Sequence, residues 1–173
     1  MTSPEQMSST ARRTAEISHV EIDGHRLRLG VWPGSAAQPP LLLFNGIGGN
    51  LELLSPFADA LQDVTVVSFD IPGIGGSGIR YLPYRLSHMA DLAASVATHT
   101  GHGTIDVLGV SWGGALAQVF AFRHRSRCRR LVLCATAAGA PAMVPGAPWV
   151  LAKLLSPRRY YERDYMTRNA GKI

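Results

Sequence analysis

Val107-Leu108-Gly109-Val110-Ser111-Trp112-Gly113-Gly114-Ala115-Leu116-Ala117 is the stretch around which the fold is built. Ahead of it, Thr104-Ile105-Asp106-Val107-Leu108 is a short β-branched and aliphatic run between Gly103 and Gly109, which predicts a buried strand. After it, Ala115 to Phe122 contains strong helix formers and no breaker, so a helix is expected to run to about Arg125. Between strand and helix stands G-x-S-x-G, residues 109–113. A bare G-x-S-x-G arises by chance in roughly one chain of this length in twenty, so the flanking strand and helix carry the assignment. A serine at the apex of such a turn is held in strained backbone with its hydroxyl exposed above the sheet. Glycines two positions to either side let strand and helix approach without a Cβ between them. Ser111 is therefore a candidate nucleophile.

The rest of the chain supplies a sheet for that turn. Ile17–Ile22 and His25–Trp32 alternate apolar and polar residues around Asp23-Gly24, which predicts an antiparallel hairpin. Leu41–Phe44 and Val64–Phe69 read as buried strands, and Leu131–Cys134 as a further one. Helical spacing covers Leu51–Leu61, with Asn50 as N-cap, and Leu86–His99, with Ser87 as the candidate cap. A hairpin followed by strand–helix units implies a mixed sheet that becomes parallel, with helices on both faces. Ligands in such sheets lie beyond the carboxyl ends of the strands. Three strand ends carry glycine-rich turns, beginning at Asn45, Asp70 and Gly109, and these are expected to converge around Ser111.

Composition narrows the class. At 173 residues, with 46% hydrophobic and 17% charged residues, the chain is one domain's worth of globular protein. Residues 1–122 carry 6 Lys+Arg against 10 Asp+Glu, a net of −4, while residues 123–173 carry 11 against 2, a net of +9. The basic residues are interspersed with Trp149, Leu151, Leu154, Leu155 and three tyrosines. With no nucleic-acid motif they read as a solvated face, not a nucleic-acid surface. Two cysteines make no disulfide framework and fit a reducing compartment. Residues 1–14 are polar, with no apolar core of a signal peptide, and read as a disordered tail; no apolar run reaches the ~20 residues of a transmembrane span. A cytoplasmic protein is expected. No metal cluster or cofactor motif stands in the sequence. Gly73-Ile74-Gly75-Gly76-Ser77-Gly78 matches G-x-G-x-x-G, but Ile79–Leu86, with Pro83, reads as loop where dinucleotide binding needs a helix.

These motifs resemble the α/β-hydrolase superfamily and, more narrowly, the intracellular poly(3-hydroxyalkanoate) depolymerases of medium-chain polyesters. The resemblance is carried by Leu43-Phe44-Asn45-Gly46-Ile47-Gly48, Phe69-Asp70-Ile71-Pro72-Gly73-Ile74-Gly75-Gly76-Ser77, Pro83-Tyr84-Arg85, residues 107–118 and Ser156-Pro157-Arg158-Arg159-Tyr160. It implies that Ser111 attacks an ester carbonyl, and that the backbone N–H groups of Trp112 and Ile47 receive the oxyanion. Asn45 stands where most relatives have His, with bracing of its turn by side-chain hydrogen bonds as the expected task. The implied substrate is a hydrophobic polyester or acyl ester, with a polymer granule surface as the implied partner and no cofactor. Other hydrolases of the fold (carboxylesterases, thioesterases, haloperoxidase-like enzymes) and a non-catalytic binding protein on the same scaffold are the alternatives.

One departure qualifies the implied mechanism. The family's triad runs Ser, acid, His along the chain, yet after Ser111 the only histidine is His124, thirteen residues on. That is about 20 Å away along a helix at 1.5 Å per residue, too far for a base. His19, His25, His88, His99 and His102 precede the serine, and the downstream acids are Glu162 and Asp164 only. The chain is thus expected to be the N-terminal part of a longer hydrolase, stopping before the last strands. Residues 15–139 would form the core and 140–173 the start of a cap, whose Ala140–Leu155 is apolar and opens with Pro141, Pro145 and Pro148.

Overall fold

The computed structural model describes residues 13–79, 85–137, 148–156, 158, 162 and 164–169. Expectations for the first twelve residues, for the loop at 80–84 and for Pro141 and Pro145 fall outside the described residues. The chain divides into two compact units, Met1–Ala137 and Ala138–Ile173.

The first unit is a six-stranded sheet with strand order β1-β2-β4-β3-β5-β6. The antiparallel hairpin forms as its alternation and Asp-Gly turn predict: β1 is Glu16–Ile22 and β2 His25–Trp32, with Asp23 and Gly24 both at positive φ. β2 also pairs antiparallel with β4, Val66–Phe69. From there the sheet is parallel, through β3 (Leu41–Phe44), β5 (Ile105–Val110) and β6 (Cys128–Cys134). Every residue of β3 and β4 is buried, including Ser68 of β4, whose hydroxyl donates to the Leu43 carbonyl at 2.7 Å.

Helices cover both faces. α1, Leu51–Ala60, packs Leu51, Leu54 and Ala58 onto Trp32, Leu41, Leu43, Val66 and Leu108. α2, Leu86–His99, and α3, Trp112–Arg123, pack Met89, Ala93, Val96, Leu116 and Phe120 onto the other face, against Leu42, Phe44, Val67 and Val107. Asn50 caps α1, its side chain accepting from the Leu53 N–H. Ser87 does not cap α2. The helix starts one residue earlier, at Leu86, after an extended Arg85 that makes no side-chain capping bond. Arg13, which the sequence places in a polar tail, closes the other end of α1. Its guanidinium donates to the carbonyls of Ala58, Leu61, Trp32 and Val64. α1 has no basic residue in its last turn, so Arg13 supplies the cation that its carbonyl end favours.

β6 corrects a second expectation. Leu131, Val132 and Leu133 are 38%, 44% and 40% exposed, although their composition reads as a buried strand. The reason is position: β6 ends the sheet, and among the described residues no strand pairs with its outer edge. The second unit holds α4, Pro148–Leu155, and α5, Tyr165–Asn169. Tyr165 is buried and its hydroxyl donates to the Lys153 carbonyl at 3.3 Å, while Glu162 pairs with Arg158 and Arg168.

Candidate active site at the strand–helix turn

β5 ends at Val110 and α3 begins at Trp112, so Ser111 alone makes the turn. It does so at φ 54° and ψ −117°, a conformation an L-residue holds at a cost of about 1–3 kcal/mol. Neighbours fix it there: its N–H donates to the Cys134 carbonyl and its carbonyl accepts from the Gly114 N–H, both at 2.9 Å. The close approach demanded of the flanking glycines is literal. A Cβ on Gly109 would lie 2.2 Å from the Gly113 carbonyl oxygen, and one on Gly113 would lie 2.4 Å from those of Phe44 and Asn45. Neither backbone neighbour can yield, so only glycine fits. Ser111 itself is exposed.

The turn after β3 meets Ser111 directly. β3 and β5 are neighbours, with Phe44 opposite Gly109, and the Cβ position on Gly46 lies 3.7 Å from the Ser111 Cβ. Ile47 follows Gly46 and is 49% exposed. Asn45 braces this turn as expected: its Nδ2 donates to the Asn50 carbonyl at 2.8 Å, and its Oδ1 accepts from the Gly46 N–H at 2.9 Å. Gly49 packs so closely on the Asn45 amide that a Cβ there would fall 2.3 Å from the Asn45 Cγ. Trp112 opens α3, its ring half-buried against the core and its N–H among those without an intrahelical acceptor.

The third glycine-rich turn behaves differently. Residues 70–78 close on themselves, Gly73 N–H to Gly78 carbonyl at 2.9 Å, and dock on β2. There the Gly78 N–H donates to the Arg26 carbonyl, and the Arg28 N–H donates to the Ser77 hydroxyl. At its head sits Asp70, only 1% exposed. Its Oδ1 accepts from the Leu51 N–H at 2.9 Å, and its Oδ2 from the Gly76 N–H at 3.0 Å and from Arg28 Nη1 at 3.2 Å. Arg28 also pairs with Glu52 in the first turn of α1. Hydrogen bonding to Glu52, and then to Asp70, raises the Arg28 guanidinium above its already high ordinary value, and the same bond lowers the Glu52 carboxyl. Sequence reading missed this cluster. Asp70 offered a signal, an acid directly after a buried, largely apolar strand; Arg28, on an alternating strand, reads as a solvated residue.

The histidines lie elsewhere. His124 caps the far end of α3, with its Nε2 3.0 Å from Asp91 Oδ1 and its ring 5.2 Å from that of Phe120. Arg123 holds Asp91 from the same side and lowers its carboxyl below the ordinary aspartate range, with His124 adding to the effect. This is a helix-end ion cluster. Because the shift is downward, its small contribution to stability is present above about pH 4 and fades as acid protonates Asp91. His88 lies in the first turn of α2, one helical turn before Asp91. Burial lowers His102, at the opposite end of β5 from Ser111. His19 is on β1, four strand spacings or about 19 Å from β5. In the full-length protein, His124→Ala is expected to change kcat less than about 2-fold on any substrate turned over. A hundredfold loss in steady-state assays would make His124 the base after all.

Comparisons with known proteins agree with this geometry. The family model for the alpha/beta hydrolase fold matches residues 39–164. Over 155 residues the chain is 50% identical to a poly(3-hydroxyalkanoate) depolymerase of Ectopseudomonas oleovorans, covering 89% of this chain and 54% of that protein. It is 28% identical over 123 residues to a soluble epoxide hydrolase of a Corynebacterium species, covering 69% and 42%. Among solved structures, a hydrolase from Pseudomonas aeruginosa superposes with a TM-score of 0.69 at 28% identity, over 84% of this chain and 56% of that one. The chain thus spans about half the length of the curated relatives it matches most fully. With the family model spanning most of the sequence and the mixed sheet carrying its serine turn, the chain belongs to the α/β-hydrolase family.

Proposed function

We propose that the protein is a serine ester hydrolase that cleaves medium-chain poly(3-hydroxyalkanoate) through an acyl-enzyme on Ser111. The observation that carries this reading is the strained, exposed Ser111 turn in a chain 50% identical to a poly(3-hydroxyalkanoate) depolymerase. In the proposed reaction the Ser111 Oγ bonds to the ester carbonyl carbon, and its proton passes through a base to the departing alkoxide. Water then cleaves the acyl–serine bond and regenerates the hydroxyl. The Trp112 N–H, at the positive end of the α3 dipole, and the Ile47 N–H, beside Gly46, are the donors proposed for the oxyanion.

Asn45 and the glycines of its turn support that assignment, because an oxyanion donor must be rigid before charge develops. Residues 140–173 are proposed as the beginning of a cap. Trp149 of α4, 65% exposed, offers the apolar surface that a polyester chain or a granule would favour. An intracellular, granule-associated location follows from the same reading. Among the described residues no helix is long and apolar enough to cross a membrane. The test is to incubate the full-length protein with 3-hydroxyoctanoate oligomers, 3-hydroxybutyrate oligomers and acyl thioesters. Release of monomer from the octanoate oligomers is the expected result; turnover of thioesters alone would replace the reading by a thioesterase.

A further inference from the structure

Asp70 lies outside the serine turn, yet it holds the piece of backbone on which the proposed oxyanion donor depends. The turn from Asn45 to Asn50 is tied at its start by Asn45, which bonds the Gly46 N–H and the Asn50 carbonyl. At its end the next residue, Leu51, gives its N–H to Asp70. Leu51 is also the first residue of α1, so this N–H is one a helix cannot satisfy internally. A buried carboxylate at that position meets both the free donor and the positive end of the helix dipole. The other carboxylate oxygen is filled by the Gly76 N–H and by Arg28. Gly75 folds so tightly over the carboxylate that a Cβ there would lie 2.0 Å from Asp70 Oδ2. The carboxylate is therefore held by three donors from three segments and has one arrangement open to it.

The geometry points to Asp70 as a positioning residue for the Ile47 N–H: by fixing Leu51 against β4 and the 70–78 loop, it sets where the 45–50 turn stands beside Ser111. This rests on the ester-hydrolase reading above. Asp70 touches no reacting atom. Its effect would appear in stabilisation of the transition state more than in substrate binding, hence in kcat more than in KM.

Asp70→Asn keeps the shape but replaces one accepting oxygen by an N–H donor, which must face the donor of Leu51, Gly76 or Arg28. In the full-length protein, with a p-nitrophenyl ester as substrate and a fluorophosphonate to count reactive serines, kcat per titrated serine is expected to fall about 10- to 100-fold. KM should change less than about 2-fold. Ser77→Ala is the control, because Ser77 bonds the same loop through the Asp70 carbonyl and the Arg28 N–H but does not reach α1. It should lower thermal stability and leave kcat per titrated serine unchanged. If Asp70→Asn lowers only the number of titratable serines, with kcat per serine at the native value, the role is merely structural and the inference is overturned. The same holds if Ser77→Ala reproduces the loss of kcat. Failure of the native protein to hydrolyse the ester or react with the fluorophosphonate would overturn the ester-hydrolase reading itself, a different outcome.

Discussion

Alanine at position 111 is expected to lower kcat of the full-length protein on the proposed ester substrates by about 10⁴-fold or more. Ser111 supplies the only protein atom in the proposed mechanism that bonds covalently to substrate. The substitution is also clean. Alanine retains the Cβ and the strained φ of 54°, and removes only a hydroxyl from an exposed residue. Stability should therefore shift by less than about 0.5 kcal/mol. Denaturant melts of the two proteins check the second point, and steady-state rates with fluorophosphonate labelling check the first. Hydrolysis within tenfold of the native rate in the purified alanine variant would remove Ser111 from the role of nucleophile.

How far the sequence foretold this site depends on what kind of interaction holds each part. Local patterns were legible: the Asp23-Gly24 hairpin, the apolar β3 and largely apolar β4, the strand–helix setting of Ser111, and Asn45 as a brace all follow from neighbours within a few residues. Parts held by partners distant in sequence were not. Arg13 looks like a tail residue until four carbonyls from three other segments are brought around it. Asp70 and Arg28 meet across 42 positions, and no periodicity announces such a pair. Leu131-Val132-Leu133 misled because composition reports what a strand is suited to, whereas exposure depends on which strand stands beside it. Of the glycine-rich turns expected around Ser111, the one after β3 meets it. The 70–78 turn is held to β2 and α1 by backbone bonds to Arg26 and Arg28 and by the Asp70 carboxylate.

Residues 1–173 expressed by themselves are expected to hydrolyse a p-nitrophenyl ester at least about 10³-fold more slowly than an ordinary serine esterase, and to be poorly soluble. The rate argument starts from the proton on the Ser111 hydroxyl: among the described residues no histidine is hydrogen-bonded to it, and without an adjacent base that proton stays in place at neutral pH. His124, the only histidine after Ser111 in the sequence, is bound to Asp91 at the other end of α3. His19 and His25 lie on β1 and β2, separated from β5 by β4 and β3. The proposed oxyanion donors alone would retain only residual catalysis over water. The solubility argument starts from β6, where three consecutive apolar residues are each at least 38% exposed. Consecutive residues of a strand point to opposite faces, so β6 exposes apolar surface on both faces, and among the described residues no strand pairs with its outer edge. An exposed apolar edge strand is a template for pairing with another chain. Light scattering during concentration and ester turnover of the supernatant test the two halves independently. A monodisperse monomer with ordinary esterase turnover would mean that a base reaches Ser111 from among His19, His25 and His88, and would place the catalytic proton transfer on the hairpin or on α2.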